Sequence, residues 1–198
     1  MASLTTSASA TWTRRTADSV ATSTCSPCHG CRSGVAWVIT VARVHLRPVT
    51  AANVDECLAL SVAGEQVAHV APNAKSLAQA SVNPNFVPLA IYDRLALGYE
   101  TPPVPMVGFT MYELAAGVGY IMRLMIDRKH QRQGYGRAAM IEVIRRLRLI
   151  PQVELIATSH RHDNEAAASL YASLGFVHWE IGFATEHPEE IYLVLPDA

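Results

Sequence analysis

The chain has 198 residues, 50% of them hydrophobic, and sets 16 lysines and arginines against 17 aspartates and glutamates for a formal net charge of -1. That length and apolar content fit one domain with one substantial core, and the balanced charge gives no basic footprint for nucleic acid, so small molecules or a protein surface are the expected partners. No apolar run reaches the length of a membrane span, and a soluble, cytoplasmic protein is the expectation.

Residues 1–40 differ from the rest of the chain. Ser, Thr and Ala dominate, Asp18 is their one acid, and neither a helical nor a strand period runs through them, so a disordered extension is expected. A segment rich in Ser and Arg and poor in acids suits an organelle transit peptide; it equally suits translated sequence upstream of the true start, with Val35, Val38 and Val41 as alternative initiation points. The second is the expectation. A secretory signal is not, because no clean apolar core succeeds a basic start. Within the segment, "CSPCHGC" sets Cys25, Cys28 and Cys31 at two overlapping C-x-x-C spacings beside His29. Zinc needs a second ligand pair from elsewhere, and no matching Cys/His pair lies downstream, so no metal is expected.

Regular patterning begins at "VARVHLRPVT", a strand closed by Pro48. Thr50 is placed to cap a helix over residues 51–62, whose Val54, Cys57, Leu58 and Val62 share one face; Cys57 there reads as a small buried apolar residue. Asn73 or Ser76 opens a second, short helix. Next come three strands, in "VPLAIYD", "VPMVGFTMYEL" and "VGYIMRLMID", joined by a Pro-rich loop and a Gly-containing turn. After a charged loop, "GRAAMIEVIRRLRLI" is an amphipathic helix with Ala139, Ile141, Ile144 and Leu147 as its packed stripe. "VELIATSH" is a strand, "DNEAAASLYASLGF" a helix stopped at Gly175, and "HWEIGFAT" and "EEIYLVL" are closing strands. The order is β-α-α-β-β-β-α-β-α-β-β, an α/β (α+β) chain without internal repeat.

The glycines of Gly134-Tyr135-Gly136 stand directly before a helix. They leave backbone N–H groups free to face an anion, where the helix dipole adds partial positive charge, so a phosphate is the expected ligand. "GYGRAA" also satisfies the G-x-G-x-x-G/A pattern of dinucleotide-binding folds, with Glu154 near the spacing of the ribose-binding acid. Against it, Asp127 to Gln133 intervene between strand and first glycine, and Glu154 opens its strand instead of ending it. No Gly-Lys-Ser/Thr comes after the glycines, as a phosphate-binding P-loop requires.

Gln131-Arg132-Gln133-Gly134-Tyr135-Gly136 matches the Q/R-x-x-G-x-G/A signature of the GNAT superfamily of N-acetyltransferases, and "NEAAASLYASLGF" resembles the same superfamily's second cofactor segment. The resemblance runs from Val44 to about Leu195, with the same order of elements, and residues 1–40 have no counterpart in it. More narrowly, "HVAPNAKSLAQA", "VPLAIYD" and "RLMIDRKHQRQGYGRAAM" resemble bacterial spermine/spermidine acetyltransferases.

The resemblance implies a GNAT fold over residues 41–198, a mixed central sheet of six to seven strands flanked by about four helices, with acetyl-coenzyme A (acetyl-CoA) as donor. It implies that Gln131 belongs to the cofactor loop and that the backbone N–H groups from Arg132 through Gln133, Gly134, Tyr135 and Gly136 to Arg137 wrap the pyrophosphate, with Arg132 and Arg137 adding charge. The strand Arg123 to Ile126 would present its main chain to the pantetheine arm, and an N–H near Leu124 or Met125 would stabilise the oxyanion. Asn164 matches the position that hydrogen-bonds pantetheine and also reads as a helix cap. Tyr171, two helical turns further on, matches the tyrosine that protonates the leaving thiolate.

Direct transfer to a small polyamine such as spermidine or spermine is the implied reaction. An alkyl ammonium titrates near ~10.4 in water, so the site must remove a proton before attack. Glu65, Glu113 and Glu154 are the candidate bases, acting through water. Other readings are an aminoglycoside or protein N-terminus as acceptor, or a non-catalytic acyl-CoA sensor. Many relatives are dimers, and a homodimer is compatible with the sequence.

Overall fold

The computed structural model describes residues 43–94, 104–180 and 188–196, all within the unit Thr40–Ala198. The expectations for residues 1–40, including the cysteine cluster, and for most of the strand "HWEIGFAT" lie outside the described residues.

The elements keep the expected order: β1 (Val44–Pro48), α1 (Val54–Ala59), α2 (Asn73–Val82), β2 (Phe86–Asp93), β3 (Met106–Ala115), β4 (Val118–Ile126), α3 (Tyr135–Leu147), β5 (Leu155–Arg161), α4 (Glu165–Ser173), β6 (Val177–His178) and β7 (Glu190–Leu195), with a short 3-10 turn at Gly64–Gln66. The strands form one sheet in the order β1-β2-β3-β4-β5-β7-β6. Every neighbouring pair is antiparallel except β4 and β5, which run parallel across the α3 crossover. This is the mixed α/β sheet with four helices that the sequence predicts.

Alternation along the strands divides the apolar residues between two faces. On one face Leu89, Ile91, Val107 and Ile121 pack with Met140, Val143 and Leu147 of α3 and Tyr171 of α4. On the other, Tyr92, Phe109, Met111 and Met125 pack with Cys57 of α1 and Leu77 of α2. Cys57 is fully buried, as expected, and burial pushes its thiol up to about 11. Gly119 of β4 lets α3 lie close to the sheet, since a Cβ there would stand 2.9 Å from Leu147 Cδ2.

Two packed faces differ from those expected. In α1, Leu58 is 46% exposed. The helix starts at Val54 behind Asn53, whose Oδ1 accepts from the Thr50 N–H at 2.7 Å, and it ends at Ala59 because Leu60 turns extended. Val62 therefore lies beyond the helix, and the face drawn through it does not exist. In α3, Ile141 is 50% exposed, and Met140 and Val143 are buried in its place beside Ala139, Ile144 and Leu147.

The pairing of β4 and β5 sets the site. Their register runs only from Val118↔Leu155 to Ile121↔Thr158. Beyond it β4 continues along β3 to Ile126↔Gly108, and β5 continues along β7 to Arg161↔Glu190. Met122 is an extra residue on β4, because Met111 pairs with Arg123 and Tyr112 with Ile121. A bulge bends its strand and strengthens the local twist, and here it stands where the two strands part.

Candidate active site

A cleft of about 1010 Å³ opens between the parted strands, lined by Met122 to Ile126 of β4, Ser159 to Arg161 of β5, the loop into α3, the first turns of α4 and the segment from Val62 to Lys75. The loop before α3 is held in a fixed shape. Arg132 (φ 61) and Gly134 (φ 85) both adopt left-handed backbone, which glycine takes without steric cost. The first helical bond of α3 runs from the Ala138 N–H to the Gly134 carbonyl at 3.0 Å. The N–H groups of Tyr135, Gly136 and Arg137 therefore have no acceptor within the helix and stand at the positive end of its dipole.

The side chains of this loop largely bind protein. Gln131 Nε2 donates to the Ile126 carbonyl at 3.0 Å and to Gln66 Oε1 at 2.7 Å, and Gln133 Nε2 donates to the Lys129 carbonyl at 3.3 Å. Tyr135 donates its hydroxyl to Asp93 Oδ2 at the end of β2 at 2.9 Å; burial and then the Asp93 carboxylate push its phenol up to about 12. Arg137 Nη1 donates to Ser173 Oγ at 2.6 Å and to the Ser173 carbonyl at 3.2 Å, so its guanidinium ties α3 to the last turn of α4. Arg132 is exposed and lines the cleft.

Asp127 anchors the loop at its start. It is buried, and its two oxygens accept from the N–H groups of Ser61 and Lys129, each at 2.9 Å. Burial alone would raise its pKa, but those two bonds and the charges of Lys129 and His130 outweigh it and hold the carboxyl below the usual range.

Leu124, Met125 and Ile126 line the cleft, while their side chains pack against the two cores. Asn164 caps α4, its Oδ1 accepting from the Ala167 N–H at 3.1 Å, and it lines the cleft as well. Tyr171 is 6% exposed at the floor, its ring 6.2 Å from that of His160 and 5.8 Å from that of Phe176. Burial raises the pKa of its phenol, opposed by a hydrogen bond to the Thr158 side chain. Tyr171 therefore stays protonated at neutral pH and stands where β4 and β5 separate.

The three predicted carboxylates do not come together. Glu65 is exposed on the 3-10 turn beside Gln66, which lines the cleft; Glu65 itself does not. Glu113 pairs with Phe86 and Tyr120, and Glu154, just before β5, lies beside the β3–β4 turn, its N–H donating to the Gly117 carbonyl at 2.7 Å. Both sit at the paired end of β4 and β5, away from the split. In their place stands a chain that sequence reasoning missed: the Tyr120 hydroxyl donates to Ser159 Oγ at 2.6 Å, and the Ser159 hydroxyl donates to Glu190 Oε2. Ser159 and Glu190 line the cleft. Alternation in "VELIATSH" separates Ser159 from Thr158 by face, but only the β5–β7 register brings Glu190 to it.

Residues 81–176 match the acetyltransferase (GNAT) family. No curated protein sequence gives a significant match. Among solved structures, the fold is similar to a domain from Methanocaldococcus jannaschii (17% identity, TM-score 0.61, covering 77% of this chain and 97% of that one). It is similar also to the spermidine N-acetyltransferase of Vibrio cholerae solved with CoA and spermine (13%, 0.57, 77% and 93%). A third is Arabidopsis thaliana NAA60 solved with a bisubstrate analogue (16%, 0.55, 77% and 98%). At such identities these likenesses speak for the fold, while the sequence match assigns residues 81–176, which include the loop before α3, the parted strands and Tyr171, to the acetyltransferase (GNAT) family.

Proposed function

We propose that the protein transfers an acetyl group from acetyl-CoA to the primary amine of a small acceptor, by direct transfer in a ternary complex. The observation that carries this reading is the parting of β4 from β5 after Ile121 and Thr158, beside the free N–H groups of the first turn of α3. Acetyl-CoA supplies the activated acyl group. The N–H groups of Tyr135, Gly136 and Arg137, with Arg132, fit a pyrophosphate. The extended main chain from Leu124 to Ile126 fits an amide-bearing arm, and an N–H at Leu124 or Met125 meets the charge that develops on the acyl oxygen.

In the transfer a bond forms from the amine nitrogen to the acyl carbon and the carbon–sulfur bond breaks. Glu190, seated on Ser159, takes the proton that the amine gives up, in the role expected of Glu65, Glu113 or Glu154. Tyr171 gives its phenolic proton to the departing sulfur. Asn164 fixes the start of α4, the helix that carries Tyr171.

A polyamine acceptor is the finer reading that the sequence resemblance suggests, and the likeness in fold to the Vibrio cholerae enzyme supports it. A long polycation needs carboxylates spaced along its groove. With Arg132 left to the donor phosphates, Arg137 held by Ser173 and Arg161 by Asp163, the cleft sets Glu165 and Glu190 against Lys75 and Arg123, and the Arg123 guanidinium, without an ion-pair partner among the described residues, favours an amine of lower positive charge. Calorimetry with acetyl-CoA, and then CoA release across a panel of amines, tests the whole reading. Failure to bind acetyl-CoA overturns it, and binding without turnover turns it into the sensor alternative.

A further inference from the structure

We infer that the acceptor carries its own anionic group, a carboxylate or a phosphate, and that Arg123 of β4 receives it; this rests on the acetyltransferase reading above. Arg123 lines the cleft and is half-buried. Its Nη1 donates to the carbonyl of its own neighbour Met122 at 2.8 Å, and its Nε is buried without a hydrogen-bond partner. Among the described residues no carboxylate forms an ion pair with it. A guanidinium presents five N–H donors in a fixed fork matched to an oxyanion, and a buried donor left unpaired destabilises the free protein in a way that an incoming oxyanion removes.

The other arginines of the cleft are accounted for. Arg137 is held by Ser173 and Arg161 by Asp163 at 3.3 Å, while Arg132 belongs to the loop at the start of α3. Arg123 is set apart from them by its face. Leu124 packs with the α3–α4 core and Met125 with the α1–α2 core, so alternation places Arg123 on the α1–α2 side. Tyr120, two strand positions from the bulge at Met122, shares that side. Tyr120 leads through Ser159 to Glu190, so a carboxylate and a guanidinium without an ion-pair partner border the α1–α2 side of the same cleft. An ammonium facing Glu190 and an oxyanion facing Arg123 complete both groups with one short zwitterionic molecule, and Lys75 of α2 adds a second cation at the rim. A polyamine instead brings positive charge to a guanidinium without a counterion.

The test uses the full chain with acetyl-CoA and compares kcat/KM for propylamine, β-alanine, ethanolamine phosphate and spermidine. The expected result is that β-alanine or ethanolamine phosphate exceeds both propylamine and spermidine by about tenfold or more, the scale of a charge-assisted fork; which of the two leads tells carboxylate from phosphate. In Arg123→Met that ratio collapses toward one through KM of the anionic amine, and Arg123→Lys restores part of it. The wild-type comparison stands even if Arg123→Met does not fold. Spermidine or propylamine equalling both anionic amines overturns the inference, as does a ratio unchanged in Arg123→Met, or acetyl-CoA binding without turnover of any amine. Calorimetry separates the two levels: without acetyl-CoA binding the acetyltransferase reading falls too, whereas with binding and a preference for cationic or neutral amines only the acceptor assignment falls.

Discussion

The Tyr120 hydroxyl reaches Ser159 Oγ at 2.6 Å, and the pair stands just where β4 and β5 stop bonding to each other. Ser159 passes the contact on to Glu190. The direction of donation leaves the carboxylate as the end of the line, able to accept a proton. Glu190→Gln should keep the shape and lose the acceptor, lowering single-turnover rates by ~100-fold while calorimetric affinity for acetyl-CoA stays unchanged. A rate equal to wild type would remove Glu190 from proton transfer.

Tyr171→Phe separates the leaving-group proton from packing. The ring remains between His160 and Phe176, and Thr158 keeps a partner because its Oγ1 donates to the Ile121 carbonyl at 2.9 Å. The melting temperature should hardly move, donor affinity should persist, and kcat should fall by ~100-fold. Rapid-quench measurement of the chemical step checks this, with an unaltered rate assigning the proton to water.

Gly136→Ala is the cleaner probe of the donor site. At Gly134 the φ of 85° means that any side chain adds strain, so loss of affinity there mixes two causes. At Gly136 a Cβ would meet Ile126 Cγ1 and Leu170 Cδ2 at 3.8 Å, ordinary contact between two cleft-lining side chains. The helix gains roughly 0.5–1 kcal/mol from alanine, while a methyl group in the path of the donor costs ~1–3 kcal/mol of binding. Expected together are a melting temperature at or above wild type and acetyl-CoA affinity about tenfold weaker or more.

Asp127 gives the fold an acid-sensitive latch. Its folded pKa lies below the ordinary value, so its contribution is complete above the unfolded carboxylate pKa of ~3.9 and is lost as pH falls through the folded pKa. Asp127→Asn should lower stability at pH 7 by about 2 kcal/mol, the scale of charged hydrogen bonds to two backbone N–H groups. The gap from wild type should narrow as pH drops below about 4. Urea titrations at pH 7 and pH 3.5 measure both, and a gap that widens in acid would contradict the assignment.

Local chemistry made much of this legible. Gly134 and Gly175 bracket two helices with left-handed residues, and strand alternation located β2 to β5 within a residue or two. The faces of α1 and α3 were less legible, because Leu58 and Ile141 are apolar residues that meet solvent and only the docking angle shows it. The acids were not legible at all. Glu113 lies on β3, which does not line the cleft, Glu154 lies just before β5 at the end away from the split, and the partner of Ser159 is set by the pairing of β5 with β7, a non-local register that no spacing in the chain announces. Tyr135 and Arg137 sit in the expected motif, yet their side chains reach β2 and α4, which only the assembled sheet makes available.

Those two tethers bear on kinetics. With Tyr135 fastened to Asp93 on one side and Arg137 to Ser173 on the other, the first turn of α3 is a strut whose shape is settled when the domain folds. A phosphate-bearing ligand then meets amides already aimed, and little conformational entropy remains to be lost on docking. Backbone order parameters across residues 134–138 should consequently be high in the free protein and rise only slightly with acetyl-CoA, while Tyr135→Phe should lower them in the free state and let the ligand restore them.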